Sequence, residues 1–185
     1  MNKKLSMDEL NRLTVEEYKQ SAKLPLAVVL DNVRSQNNIG SVFRTADAFR
    51  AQRICLCGIS STPPHRDIHK TALGAENSVD WEYCEDTAAC VAKLKAEGYY
   101  VFAVEQVDDS VKLDQLDPDA FAGRPVAVVF GNEVEGVRDD VIPLCDASLE
   151  IPQFGTKHSL NISCAAAIVI WEMFRALGEN SAMPK

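Results

Sequence analysis

Unbroken apolar runs alternate along this chain with segments whose apolar residues recur every three or four positions. Leu26–Leu30, entered from Pro25, is the first run, and an apolar stretch without polar interruption predicts a strand buried on both faces. Ile54–Gly58, Tyr99–Val104 and Pro125–Phe130 read as further strands, as does Val79–Cys84 despite Asp80 and Glu82, and a last strand is expected to end at Leu149 and Ile151, closed by Pro152. Ser41–Arg50 places Val42, Phe43, Ala46 and Phe49 on one helical face, and Thr87–Glu97 does the same with Ala88, Val91 and Leu94 before Gly98. A final helix is predicted from the recurrence of Ala165, Ile168, Val169, Glu172 and Met173, while Val137–Leu144 reads as at most a short helix. Ser61-Thr62-Pro63-Pro64 opens a loop expected to continue through Lys70. Strands alternating with helices predict an α/β fold, a mostly parallel sheet covered by helices on both faces. Residues 1–23, with Leu5, Leu10, Leu13 and Val15 among charges, read as a short amphipathic helix or loose arm. Residues 24–177 form the domain, and 178–185 a flexible tail.

Composition narrows the class. A chain of 185 residues with 46% hydrophobic content suffices for one domain with a substantial core. No apolar run approaches the roughly 18 residues of a membrane span, and the N-terminus lacks a signal-peptide core. Six cysteines without metal-type CxxC spacing, most in apolar surroundings, suggest reduced thiols in a cytoplasmic protein. Cys55-Leu56-Cys57 lies inside a strand and reads as core packing.

The net charge of −8 excludes a broad nucleic-acid-coating surface. Locally the balance reverses. Between Asp31 and Lys70 six basic residues (Arg34, Arg44, Arg50, Arg53, Arg66, Lys70) face three aspartates (Asp31, Asp47, Asp67), an excess of +3 with His65 and His69 alongside. That suits a phosphate-backbone footprint, with a solvated face as the plainer reading. His65 and His69 stand four apart, but Pro63 and Pro64 precede them and no third ligand is near in sequence, so no metal is expected.

The candidate chemistry sits in the loops that follow strands, where parallel sheets place ligands. Asp31–Arg44 is rich in amides (Asn32, Gln36, Asn37, Asn38) ahead of Gly40. Asn38 is expected to cap a helix starting near Ile39 or Gly40, and Arg44, among apolar neighbours, to be either salt-bridged or aimed at a ligand. Gly131–Gly136, GNEVEG, resembles a phosphate loop in spacing, but Val137 and Arg138 replace its Lys and Ser/Thr. Glu133 and Glu135 would also repel phosphates, so the loop suits a cationic or hydrogen-bond-donating ligand, or is simply a solvated turn. Gln153–Asn161 is a polar strand-to-helix loop in which Ser159, Asn161 and Ser163 are candidate caps.

LDNVRSQNNIGSVFRTADAF (Leu30–Phe49), VVFGNEVEGV (Val128–Val137) and IPQFGTKHSLNISCAAAIVIWE (Ile151–Glu172) together resemble, in order and spacing, the SpoU/TrmH family of RNA ribose 2′-O-methyltransferases in the SPOUT superfamily. Ser35-Gln36 stands where many members carry Asn-Pro, and the separate RNA-binding domain of some relatives has no counterpart. The resemblance implies an S-adenosylmethionine cofactor, a C-terminal trefoil knot, a homodimer, and methyl transfer to tRNA or rRNA. It places Phe130, Gly131, Asn132, Ile151, Gln153, Ser159 and Leu160 at the cofactor, and Asn38, Arg44, Glu133, Ser159 and Asn161 at the catalytic and substrate-positioning places. Arg34, Arg44, Arg53, Arg66 and Lys70 are the expected RNA contacts. The competing readings are an RNA-binding protein that keeps the fold without catalysis, and an α/β enzyme with a nucleotide cofactor. The absence of GxGxxG and of a Walker lysine weighs against the second.

Overall fold

Every predicted apolar run becomes a strand of one sheet. The computed structural model describes residues 3–6, 8–121 and 123–178. The expected tail beyond Gly178 lies outside the described residues. Strands β1 (Leu24–Asp31), β2 (Ala51–Cys57), β3 (Asp80–Cys84), β4 (Tyr100–Val104), β5 (Val111–Lys112), β6 (Val126–Phe130) and β7 (Ala147–Glu150) lie in the order β3-β2-β1-β6-β4-β7-β5. All pairings are parallel. The two-residue β5 escaped the sequence reading because it is too short to show a period.

Alternation along the central strands divides the core. Leu26, Val28 and Leu30 of β1 face helices α2 (Gln36–Ala48) and α6 (Ile162–Gly178), joined there by Ile39, Phe43, Val169 and Met173. Ala27 and Val29 point the other way, onto α5 (Thr87–Ala96), with Cys90, Val91 and Leu94. Both faces are therefore covered, which is why β1 and β6 carry no alternating polar residues. The cysteines gather on the α5 side, where the sulfurs of Cys57, Cys84 and Cys90 lie within 4.8 Å of one another. All six cysteines are free.

Two local expectations are corrected. Helix α2 begins at Gln36 because Ser35 Oγ, not Asn38, accepts the capping bond, from the Asn38 N–H at 3.3 Å. The stretch expected as loop through Lys70 contains helix α3 (Arg66–Ala72), whose first turn is capped by His65 Nδ1 accepting from the Asp67 N–H. Only Ile68 and Ala72 are buried in α3, so its apolar face was too thin to register as a period. A short α4 (Ala75–Ser78) follows, and in the arm α1 (Val15–Gln20) opens with a Thr14/Glu17 capping box.

Helix α3 crosses α2 at Gly40. A Cβ built there would stand 2.3 Å from the Ile68 carbonyl oxygen and 3.0 Å from the Ala72 nitrogen, so only a hydrogen fits. Gly40→Ala is expected to destabilise the fold by about 1–3 kcal/mol, the usual cost of overpacking, read as a lower urea midpoint with an unchanged slope.

Candidate functional site

The loops closing β1, β6 and β7 meet at the carboxyl edge of the sheet, and one carboxylate ties them together. Glu133 accepts hydrogen bonds from the backbone N–H groups of Arg34 (3.2 Å) and Ser35 (3.1 Å) and from the Asn38 side-chain amide (3.0 Å). Asn38 Oδ1 accepts from Asn161 Nδ2 at 3.3 Å, and Asn161 Oδ1 takes the Ser163 N–H at 2.9 Å and hydroxyl at 2.6 Å at the start of α6. Because Ser35 does the capping of α2, the Asn38 side chain is free for this bridge. Asp31, buried at the end of β1, anchors the base by accepting from Thr87 Oγ1 (2.5 Å), Asn32 Nδ2 (2.8 Å) and the Arg138 N–H (3.0 Å).

Burial alone would raise the Glu133 carboxyl. The hydrogen bonds from Asn38, its own backbone, Arg34 and Ser35 outweigh it and hold the group below the usual carboxylate range. A depressed pKa contributes stability above the unfolded value of about 4.3 that is lost as pH falls through the folded one. Glu133→Gln is therefore expected to be less stable than the parent at pH 7, with the gap closing below about pH 4. Urea melts of both proteins across that range would show it, and a gap independent of pH would refute it.

Beside this network lies a cavity of about 520 Å³. Phe130, Gly131, Asn132, Ile151, Gln153, Ser159 and Leu160, the residues read as cofactor-binding, all line it, as do Glu133 and Asn161. Gly131 is required by close approach: a Cβ there would lie 1.8 Å from the Gly136 carbonyl carbon and 2.0 Å from the Val137 nitrogen. The turn is pinned further by Asn132 Oδ1, which accepts from the Val134 and Glu135 N–H groups at 2.8 Å. Sequence reading missed the wall given by the β4 end, Glu105 and Gln106. The rule that flagged the other strand ends applies there too, since Glu105 directly follows an apolar strand. Glu105 accepts from the Val137 N–H at 3.0 Å and so shapes the Gly131–Gly136 turn from outside. Glu105, Glu133, Glu135 and Glu150 line the cavity, and among the described residues no Lys or Arg does. A wall of that charge suits a cationic ligand and opposes phosphates.

Arg44 is not in this wall. It is exposed on the open face of α2 and, among the described residues, its side chain makes no ion pair or hydrogen bond, so of the two partners expected for it, a salt bridge or a ligand, the salt bridge is not formed. The reason is helical phase: Val42, Phe43 and Ala46 take the buried face and Arg44 falls opposite. Arg34, Arg66 and Lys70 are likewise exposed. Arg53 is not brought together with them. It is half-buried at the other end of the sheet, ion-paired with Glu97 and Glu82 and lying over the Tyr99 ring. His65 caps α3 and His69 pairs with Glu76, so each imidazole has another task.

A sequence profile of the SpoU rRNA Methylase family matches residues 25–171. The chain is 29% identical over 167 residues to the tRNA (guanosine(18)-2′-O)-methyltransferase of Thermus thermophilus, covering 90% of this chain and 83% of that protein. The Escherichia coli protein of the same name is 28% identical over 167 residues, covering 86% and 70%. Against TrmH-family relatives from Staphylococcus saprophyticus and Staphylococcus haemolyticus, at 30% and 29% identity, the chain spans only 63% and 66% of their length. Among solved structures, an rRNA methyltransferase from Sinorhizobium meliloti with AdoMet bound superposes with a TM-score of 0.76 at 28% identity, covering 88% of this chain and 60% of that one. The A. aeolicus TrmH/SpoU tRNA modifying enzyme shares the fold, with a TM-score of 0.77 at 23% identity over 90% of this chain and 83% of that one.

Proposed function

The chain belongs to the SpoU rRNA Methylase family, and from that membership we propose that it transfers a methyl group from S-adenosylmethionine to a ribose 2′-hydroxyl of tRNA or rRNA. The observation that carries the reading is the acid-walled cavity, closed by a glycine turn with no room for a Cβ and tied to Asn38 and Asn161 through Glu133. S-adenosylmethionine bears a sulfonium and an ammonium, both welcome in a cavity bordered by Glu105, Glu133 and Glu135. The backbone of Phe130 and Gly131, with Ile151, Gln153 and Leu160, would hold its adenosine. When bound it supplies the electrophilic methyl group.

The chain's own residues then have to orient the ribose and handle its proton. Glu133 positions Asn38, and the Asn38–Asn161 pair sets the approach to the cavity mouth. Ser159, exposed on the cavity rim, relays the proton to solvent directly or through a water. A guanidinium is a poor base at neutral pH, so Arg44 acts as an electrostatic clamp on the neighbouring phosphate or the developing alkoxide. With Arg34, Arg66 and Lys70 it gives an otherwise acidic chain its RNA contacts. Residues 24–177 carry the activity, the C-terminal segment is threaded as a knot, and the compartment is the cytoplasm.

A homodimer belongs to the same reading. Cys164, Ile168 and Trp171 form an exposed stripe along α6, with Ile168 41% and Trp171 49% accessible, and Trp171 rests on Phe49 and Phe174. An apolar stripe at helical spacing is a surface that a second copy would cover. Trp171→Glu is expected to halve the mass measured by light scattering. A parent protein that is already monomeric would overturn the dimer.

The function is tested by incubating the protein with tritiated S-adenosylmethionine and unmodified tRNA or rRNA transcripts. Incorporation into a ribose 2′-position is expected. A protein that binds the cofactor and RNA yet transfers nothing would be the non-catalytic alternative.

A further inference from the structure

A second cavity, of about 590 Å³, shares no residue with the first. Pro63, Pro64 and Trp81 give it flat apolar walls, while His65, Arg66 and Asn77 add polar groups. Trp81 sits on the edge strand β3 with 36% of its surface accessible, an unusual exposure for the largest apolar side chain. Unlike the first cavity, this one has an arginine in its wall, Arg66, against a single acid, Glu76. Arg66 stands at the rim and Lys70 one turn beyond it, both exposed and without an ion pair among the described residues. The one acid of the wall, Glu76, is already engaged: it pairs with His69 and accepts from the Gly74 N–H at 3.1 Å. Its side chain is only 8% accessible, so it offers little repulsion to an anion at the mouth.

An aromatic face beside an unpaired guanidinium is the arrangement that takes an unstacked nucleotide, base on the ring and phosphate on the cation. We propose that this cavity binds a single unstacked nucleotide of the RNA, its base stacked against Trp81 between the prolines and its phosphate held by Arg66. The inference rests on the RNA substrate proposed above, but not on catalysis. Its position connects it to the site. Helix α3, which begins at Arg66, packs on α2 at Gly40, and Thr71 Oγ1 donates to the Asn37 carbonyl at 2.9 Å. A nucleotide held here would therefore fix the strand one helix away from Asn38 and Arg44.

The chain has two tryptophans, so Trp171→Phe leaves Trp81 as the sole indole and keeps an aromatic ring against Phe49 and Phe174. Titrating that variant with a single-stranded RNA octamer is expected to quench its fluorescence saturably, and Arg66→Glu to remove the effect. A nucleoside monophosphate that quenches as tightly as the octamer would mean a free-nucleotide site and overturn the RNA assignment. In methyl transfer, Trp81→Ala is expected to raise KM for RNA about tenfold with kcat unchanged, and Trp81→Phe to restore it. If RNA is methylated with the same KM by Trp81→Ala and no quenching is seen, the nucleotide cavity falls and the methyltransferase stands. If the wild-type protein neither binds nor methylates RNA, both fall.

Discussion

Arg44→Ala is expected to lower kcat for methyl transfer by about 10²- to 10³-fold, the range seen when one preorganised donor to a developing oxyanion is removed. Affinity for S-adenosylmethionine should stay within about twofold, because Arg44 is absent from the cavity wall. Arg44 is exposed on α2, makes no ion pair among the described residues, and shares its helix with Asn38, which bonds Glu133 at the cavity. Its removal therefore leaves no buried charge unpaired and should not alter the denaturation midpoint. Arg44→Lys keeps the charge but not the planar fork, and should recover only part of the rate. Rates measured at saturating cofactor and RNA decide it. A variant with full kcat and a raised KM would make Arg44 an RNA-docking residue only.

Ala165→Trp is expected to weaken S-adenosylmethionine binding at least thirtyfold, about 2 kcal/mol, while the variant still folds. Ala165, half-buried in the first turn of α6, lines the 520 Å³ cavity as well as touching the core, so an indole there would extend into the cavity space that the cofactor needs. Calorimetric titration gives the affinity and a thermal melt the stability. Unchanged binding in a folded variant would move the cofactor out of this cavity. Gly131 is the less informative position for this purpose. Any Cβ there meets the Gly136 carbonyl carbon at 1.8 Å, so Gly131→Ala would distort the turn itself and confound lost contact with lost structure.

The central strands β1, β6 and β4 were legible because each is an apolar run, the pattern that burial on both faces of a parallel sheet favours; two-residue β5 was not. Helices α2, α5 and α6 were legible for the same reason at their own period. Helix α3 was not, since its buried face is Ile68 and Ala72 alone and its close packing on α2 at Gly40 is a tertiary contact. The cap of α2 was misassigned to Asn38 because Ser35 and Asn38 are both competent acceptors, and only the pull of Glu133 from residues far along the chain decides between them.

By itself, then, the sequence determined the fold class, every strand but β5 and the polarity of the loops that gather at the carboxyl edge of the sheet, because strand burial and loop polarity are local properties of the chain. Tertiary structure decided what those loops do together: that Glu133 reaches Arg34, Ser35 and Asn38, that Asn38 meets Asn161, and that Glu105 walls the cavity. It also divided the basic residues, leaving Arg44, Arg66 and Lys70 exposed while Glu82 and Glu97 claim Arg53. The physical reason is the same in each case. A charged or amide side chain takes whichever partner the packing of distant strands brings within about 3 Å, and no period along one strand or helix encodes that distance.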